Sequence, residues 1–174
     1  MGNPTEEYHL PSKDVVSMSS FRFSNTSGFS PYTGYKLSAI ASYAANGNPR
    51  EIVENETFHT VYIWGYHGNY PVAVVRNATK QQVLQAVGKD EAQLREMEAG
   101  DIIDITSLRN LLLAIPGAFV TTYTYMPYVG ITSCTEPNGK VTTYTYDSFG
   151  RLSSAVNNDG VVTDEYIYNY KFEQ

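Results

Sequence analysis

One hexapeptide occurs twice, letter for letter. Residues 120–125 read Val-Thr-Thr-Tyr-Thr-Tyr, and residues 141–146 read the same. A weaker third copy, Val-Thr-Asp-Glu-Tyr-Ile-Tyr, covers residues 162–168. The matching tyrosines Tyr123, Tyr144 and Tyr166 lie 21 and 22 residues apart. A fixed period of this size is the mark of a repeat architecture, in which one supersecondary unit recurs and stacks on its neighbours. No single unit of this length hides enough apolar surface to fold alone.

Within a period the pattern is strand, turn, strand, turn. Val141, Thr143 and Thr145 alternate with Thr142, Tyr144 and Tyr146, so the two sets face opposite sides of a strand. Gly150 then marks a turn, residues 151–156 form a return strand, and Asn157-Asn158-Asp159-Gly160 makes a second turn. Asn138-Gly139 does the same one repeat earlier. Gly in these pairs supplies the positive φ that tight hairpin connections require. The excess of Tyr, 15 of 174 residues, fits, because aromatic and β-branched side chains pack well across strands.

The front half reads as a diverged version. Residues 37–43 are a strand, and Tyr43 to Gly47 has the spacing of Tyr146 to Gly150. Residues 51–54, 58–66 and 72–76 are further strands. Residues 1–36 are polar and rich in Ser, Gly and Pro, with residues 15–23 the best strand candidate. Between the halves the period changes. Thr79 and Gln82 have capping-box spacing ahead of Val83, Leu84 and Val87. Asp90 caps a helix over residues 91–98, and Thr106 or Asp104 caps a third over residues 108–114, which Pro116 and Gly117 end. The expectation is a single domain of four parts: an irregular segment 1–36, diverged repeats 37–77, a helical insertion 78–116 and repeats 117–174.

Tyr146, Asp147, Gly150, Arg151 and Leu152 form the string Tyr-Asp-x-x-Gly-Arg-Leu. With the period near 21, it resembles the signature of the bacterial YD-repeat, or rearrangement-hotspot (RHS), family. The resemblance extends over residues 37–174. It implies a mainly β fold: antiparallel YD/RHS-type hairpins forming a curved sheet, here with a short helical insertion at about 79–115. It also implies an extracellular or cell-surface location and a structural role, as part of a shell that in some members encloses a toxin. The toxin-bearing members release their cargo through a segment built on Asp-Pro pairs. This chain has eight prolines and no Asp-Pro pair, so the release element is expected to be absent. Two positions depart from the signature. Ala44 stands where the Asp belongs, and Met126-Pro127 replaces the Asp turn, so both turns are open to reshaping.

Charge and composition exclude several roles. Asp and Glu outnumber Lys and Arg by 18 to 12, for a net charge of −6, which provides no footprint for nucleic acid. The longest apolar run, residues 111–115, is far below membrane-span length. The first residues lack the basic-then-apolar pattern of a signal peptide. Cys134 is the only cysteine, so an intrachain disulfide and a multi-thiolate zinc site are ruled out. His9, His59 and His67 are dispersed, no Gly-x-Ser-x-Gly elbow is present, and the acids fall in turns and helix starts. No catalytic residue, metal site or cofactor is expected.

The aromatics Tyr62, Trp64, Tyr66 and Tyr70 are the candidate ligand-binding residues. Their rings can stack on sugars at a cell surface. By alternation Tyr62, Trp64 and Tyr66 share one strand face, and the favoured reading packs Trp64 in the core under the helices. Expected partners are other repeats of a larger chain, or a second copy pairing through exposed sheet edges, with glycans as an alternative. A third reading makes the chain a remnant of a toxin-delivery protein without its toxin.

Overall fold

The computed structural model describes residues 6–9, 36–44, 47–55, 57–100 and 104–169. Residues 15–23 lie outside them.

Ten strands form one antiparallel meander in chain order: β1 (Glu6–His9), β2 (Lys36–Tyr43), β3 (Pro49–Glu54), β4 (Phe58–Gly65), β5 (Tyr70–Arg76), β6 (Phe119–Met126), β7 (Gly130–Thr135), β8 (Val141–Tyr146), β9 (Leu152–Val156) and β10 (Val162–Glu165). Among the described residues β1 and β10 are the outer strands, so the sheet is open. Three helices, α1 (Lys80–Val87), α2 (Glu91–Glu98) and α3 (Ile105–Leu113), take the place of the β5–β6 turn. The mainly β architecture with a short helical insertion is the one expected.

The helix boundaries follow from capping. Thr79 and Gln82 make a reciprocal capping box on α1, and Asp90 and Gln93 make another on α2. Asp104 caps α3 through the N–H groups of Thr106 and Ser107. The helix therefore begins at Ile105, three residues ahead of the expected start, because Asp104 rather than Thr106 takes the cap. The third tail copy is also shorter than its sequence suggests. β10 stops at Glu165, since it pairs only with the five-residue β9 and carries a register shift between Val162 and Asp164.

The helices cover one sheet face. Val61, Ile63, Val75 and Val120 are fully buried there, against Val83, Leu94, Leu108 and Leu112. Burial alternates along β4, so Tyr62 and Trp64 turn to the other face. Trp64 is half-buried and outside the helix-covered core, where the favoured sequence reading had placed it.

Two arginines pin the helices down. Arg50, fully buried, forms a two-pronged pair with Glu98 of α2, both contacts at 2.5 Å, and donates to the Tyr62 carbonyl at 2.9 Å. Glu91 lies 3.4 Å from the Arg50 Nε. Burial acts to lower the Arg50 pKa, but the hydrogen bonds and charge of Glu98, with the charge of Glu91, outweigh it and the net shift is upward. From α3, Arg109 donates to the carbonyls of Val120 (2.8 Å) and Glu136 (2.6 Å), clamping β6 to the end of β7.

Removing one partner of a buried ion pair strands the other charge. Glu98→Ala is therefore expected to lower the unfolding free energy by about 3–5 kcal/mol, read from urea denaturation of the whole chain. A loss under about 1 kcal/mol, the range of an exposed pair, would show that the pair does not hold α2.

Candidate functional site

The repeat is defined by its turns. Asp147 N–H donates to the Arg151 carbonyl (2.9 Å) and Gly150 N–H to the Asp147 carbonyl (3.0 Å). The same two bonds recur at Ala44 with Asn48 and Gly47, at Glu136 with Lys140 and Gly139, and at Asn157 with Val161 and Gly160. In the signature turn Asp147 adds side-chain bonds. Its Oδ1 accepts from the N–H groups of Phe149 (2.8 Å) and Arg151 (3.0 Å), and its Oδ2 from the Arg151 Nε (2.8 Å). The Arg151 hydrogen bond is the main reason the Asp147 pKa lies below the ordinary carboxylate value. Gly150 has φ of 75°, open to glycine at little cost. Asn157 mimics Asp147, accepting from Asp159 and Val161 at 3.0 Å each. Ala44 has no such oxygen, yet its turn keeps the shared backbone bonds. The Met126-Pro127 turn is reshaped: Val129 N–H bonds to the Met126 carbonyl, with Pro127 second and Tyr128 third at φ of 64°.

From β2 to β9, every second hairpin also carries a bulge near its turn. Tyr43 pairs with Pro49, Trp64 with Pro71, Tyr125 with Ile131 and Tyr146 with Leu152, each just beyond a register shift. The extra residues are Arg50, Val72, Thr132 and Ser153. Under the helices Arg50 and Val72 are buried. Beyond them the extra residue is a hydroxyl: Thr132 meets Thr124 at 2.7 Å, and Ser153 meets Thr145 at 2.8 Å.

Three of the aromatics facing a bulge, and Tyr168 beyond β10, hydrogen-bond one hairpin back. Trp64 Nε1 donates to the Pro49 carbonyl (2.9 Å). The hydroxyl of Tyr125 donates to Pro71 (2.9 Å), that of Tyr146 to Ile131 (2.8 Å) and that of Tyr168 to Leu152 (2.9 Å). All four acceptors immediately precede an extra bulge residue. The ring of each tyrosine rests beside the residue before its acceptor. Tyr125 stacks on Tyr70 with centroids 4.7 Å apart, and the Arg151 guanidinium lies 4.1 Å from the Tyr168 ring centre. At Gly130 a Cβ would overlap the Tyr146 hydroxyl and come within 2.8 Å of its Cζ. Bulge amides are taken too: Trp64 N–H by Glu98 (2.8 Å), and Tyr125 N–H by the Tyr66 hydroxyl (3.0 Å).

The expected ligand-binding residues fall into two groups. Tyr62 and Trp64 stack at 6.4 Å. Tyr66 leaves the strand, with φ of 51°, and joins Tyr70 and Tyr125, its ring 5.7 Å from each. The Tyr70 hydroxyl accepts from Tyr128 N–H at 2.9 Å. Trp64, Tyr66 and Tyr70 thus spend their polar groups on the chain's own backbone. Of the four, Tyr62 alone lines the cleft formed with Phe58, Arg76 and Phe119.

Sequence reasoning missed Arg50, Glu98 and Arg109. Glu98 stands four residues after Leu94 on the inward helix face, and an acid continuing an apolar stripe is the one signal that could have exposed it. Among the described residues no group of three or more His, Cys, Asp or Glu side chains is placed to hold a metal, and no helix is long and apolar enough to cross a membrane.

Residues 130–162, from β7 through the start of β10, match the RHS Repeat family. No curated protein matches the chain. Among solved structures it is similar to TcdB2-TccC3 without its hypervariable C-terminal region (12% identity, TM-score 0.43, 72% of this chain and 6% of that one). It is also similar to TcdB2-TccC3 (12%, 0.43, 78% and 6%) and to the Photorhabdus luminescens Tc holotoxin pore (12%, 0.42, 76% and 6%). The chain spans about 6% of the length of these structures, and the likeness is too slight to bear on what it does.

Two tests address the ladder. Tyr146→Phe removes one hydroxyl and leaves the Ile131 carbonyl without that donor, an expected loss of about 1–3 kcal/mol. Gly130→Ala forces the same ring off its seat and should cost at least as much; equal urea midpoints for both variants and the parent would contradict the ladder. The second test is alkaline pH. Burial, followed by neighbouring tyrosines and Cys134, raises the Tyr125 pKa, and burial also raises Tyr123 and Tyr144. Their folded values lie above the unfolded value of about 10. Their contribution is complete below that pH and is lost as pH climbs towards the folded values. The urea midpoint should fall between pH 8 and 11, less steeply in Tyr125→Phe; identical slopes would show that the Tyr125 hydroxyl is not sequestered.

Proposed function

We propose that this chain, with its RHS repeat at residues 130–162, is a non-catalytic structural and interaction module, part of a larger secreted or cell-surface shell protein. The observation that carries this reading is the ladder itself. Each aromatic donor serves a carbonyl in the preceding hairpin, so the function of the motif residues is to join one hairpin to the next. Tyr146, Asp147, Gly150, Arg151 and Leu152 all act in that joint or its turn. Asp147 and Arg151 satisfy each other, which suits architecture rather than proton transfer.

The partner is more of the same chemistry: a further repeat, or a second copy. β10 is exposed along its length, with Val161 and Val162 each more than half exposed and Ile167 beyond it at 79%. An open edge of this kind offers backbone groups to another strand. The glycan reading draws no comparable support, because Trp64, Tyr66 and Tyr70 already serve the backbone. The toxin-remnant reading has no site residue of its own.

Light scattering across a concentration series tests the proposal. Mass is expected to rise with concentration for the parent chain and to stay monomeric for a Val162→Lys, Ile167→Lys variant. A parent that stays monomeric throughout would refute edge pairing between copies.

A further inference from the structure

Tyr62 faces a cleft of about 700 Å³ on the side of the sheet away from the helices. The rung Ile52, Thr60, Arg76, Phe119 crosses β3 to β6 there, one step from the core rung Val61, Val75, Val120 and turned the opposite way. Phe58 and Tyr62 flank Thr60 on β4. Thr60, the shortest of the group, makes the floor. Phe58 is 64% exposed and Phe119 56%. Two open phenyl groups keep a hydration cost that an apolar ligand would relieve.

Arg76 stands between Thr60 and Phe119 and is exposed. Its guanidinium has no ion pair or hydrogen bond among the described residues, although the chain is acidic overall. A guanidinium fork matches a carboxylate with two parallel bonds. Two other titratable groups line the cleft, His59 and Glu54. His59 is paired with Glu51 at 2.9 Å. Glu54 also lines the cleft, on β3, two strands from Arg76 and one diagonal step along, and no ion pair joins the two. The charge pattern therefore orients an occupant, its anionic end at Arg76 on β5, away from Glu54, and its body over β4.

We propose that this cleft binds a small aromatic carboxylate, with the carboxylate on Arg76 and the ring against Phe58, Tyr62 and Phe119. Its volume is in the range of small-molecule sites, about 300–1,000 Å³. The site is independent of the repeat ladder: Arg76, Phe58 and Phe119 take no part in it.

Calorimetry on the whole chain tests this with 1-naphthylacetate and its neutral counterpart 1-naphthaleneethanol. The acid is expected to bind one to one and about two- to fivefold tighter than the alcohol, the range of a solvent-exposed ion pair. Arg76→Gln should remove that preference while leaving weak binding of both, and Arg76→Lys should keep part of it. Phe119→Ser should weaken acid and alcohol alike. Both positions are exposed, so far-ultraviolet dichroism should match the parent. Equal affinity for acid and alcohol, an unchanged preference in Arg76→Gln, or no saturation by about 10 mM (below the weakest ordinary affinities) would each overturn the assignment.

Discussion

A bulge places one residue too many in a strand and leaves its ladder hydrogen bonds locally unmade. Here the bulge recurs in four hairpins, next to Pro49, Pro71, Ile131 and Leu152, and each time an aromatic donor from further along the chain bonds that residue's carbonyl. The defect in one unit is thus completed by the next. That reciprocity is why the units stack in one order and at one offset, and why a single hairpin is not a stable object. Three of the four bonds are partly shielded from water, where a carbonyl left without a donor costs more than the bond itself contributes.

The side chains around each bulge show how one scheme serves two environments. Under the helices the extra residue is Val72, packed in the core, or Arg50, which meets Glu98. Where no helix lies above, Thr132 and Ser153 bond to Thr124 and Thr145 instead. The helical insertion is therefore a cover over β4 to β6 with its own polar fastenings. Arg50 holds α2 through a buried charge pair, and Arg109 holds α3 through backbone carbonyls. Charge pairs fix register where apolar contacts would tolerate sliding, at a desolvation cost that demands both partners.

Much of the fold was legible because its signals are local. Alternation in the Val-Thr-Thr-Tyr-Thr-Tyr copies, glycine in the turns and capping boxes at Thr79 and Asp90 each depend on neighbours within a few residues. The turn at Ala44 shows the limit. The signature Asp is missing there, yet backbone bonds to Asn48 and Gly47 suffice to close it. At Met126-Pro127 the altered letters did reshape the turn, because Pro127 presets the backbone ahead of Tyr128 and Tyr70 caps the result. Trp64 misled the sequence reading in another way: a lone tryptophan in an aromatic group suggests a core or a platform, and it proved to be a substitute for a ladder tyrosine.

By itself the sequence determined the repeat, its phase, most of the strands, the three helices and the caps of the first two, since periodicity and turn chemistry act over short stretches of chain. The tertiary structure decided which distant groups meet: Trp64 with Pro49, Tyr125 with Pro71 across the helical insertion, Arg50 with Glu98, and two phenylalanines beside Arg76. These contacts depend on sheet register and on where a bulge adds one residue. A shift of one residue turns every side chain in a strand to the other face, and no local pattern records which way it goes.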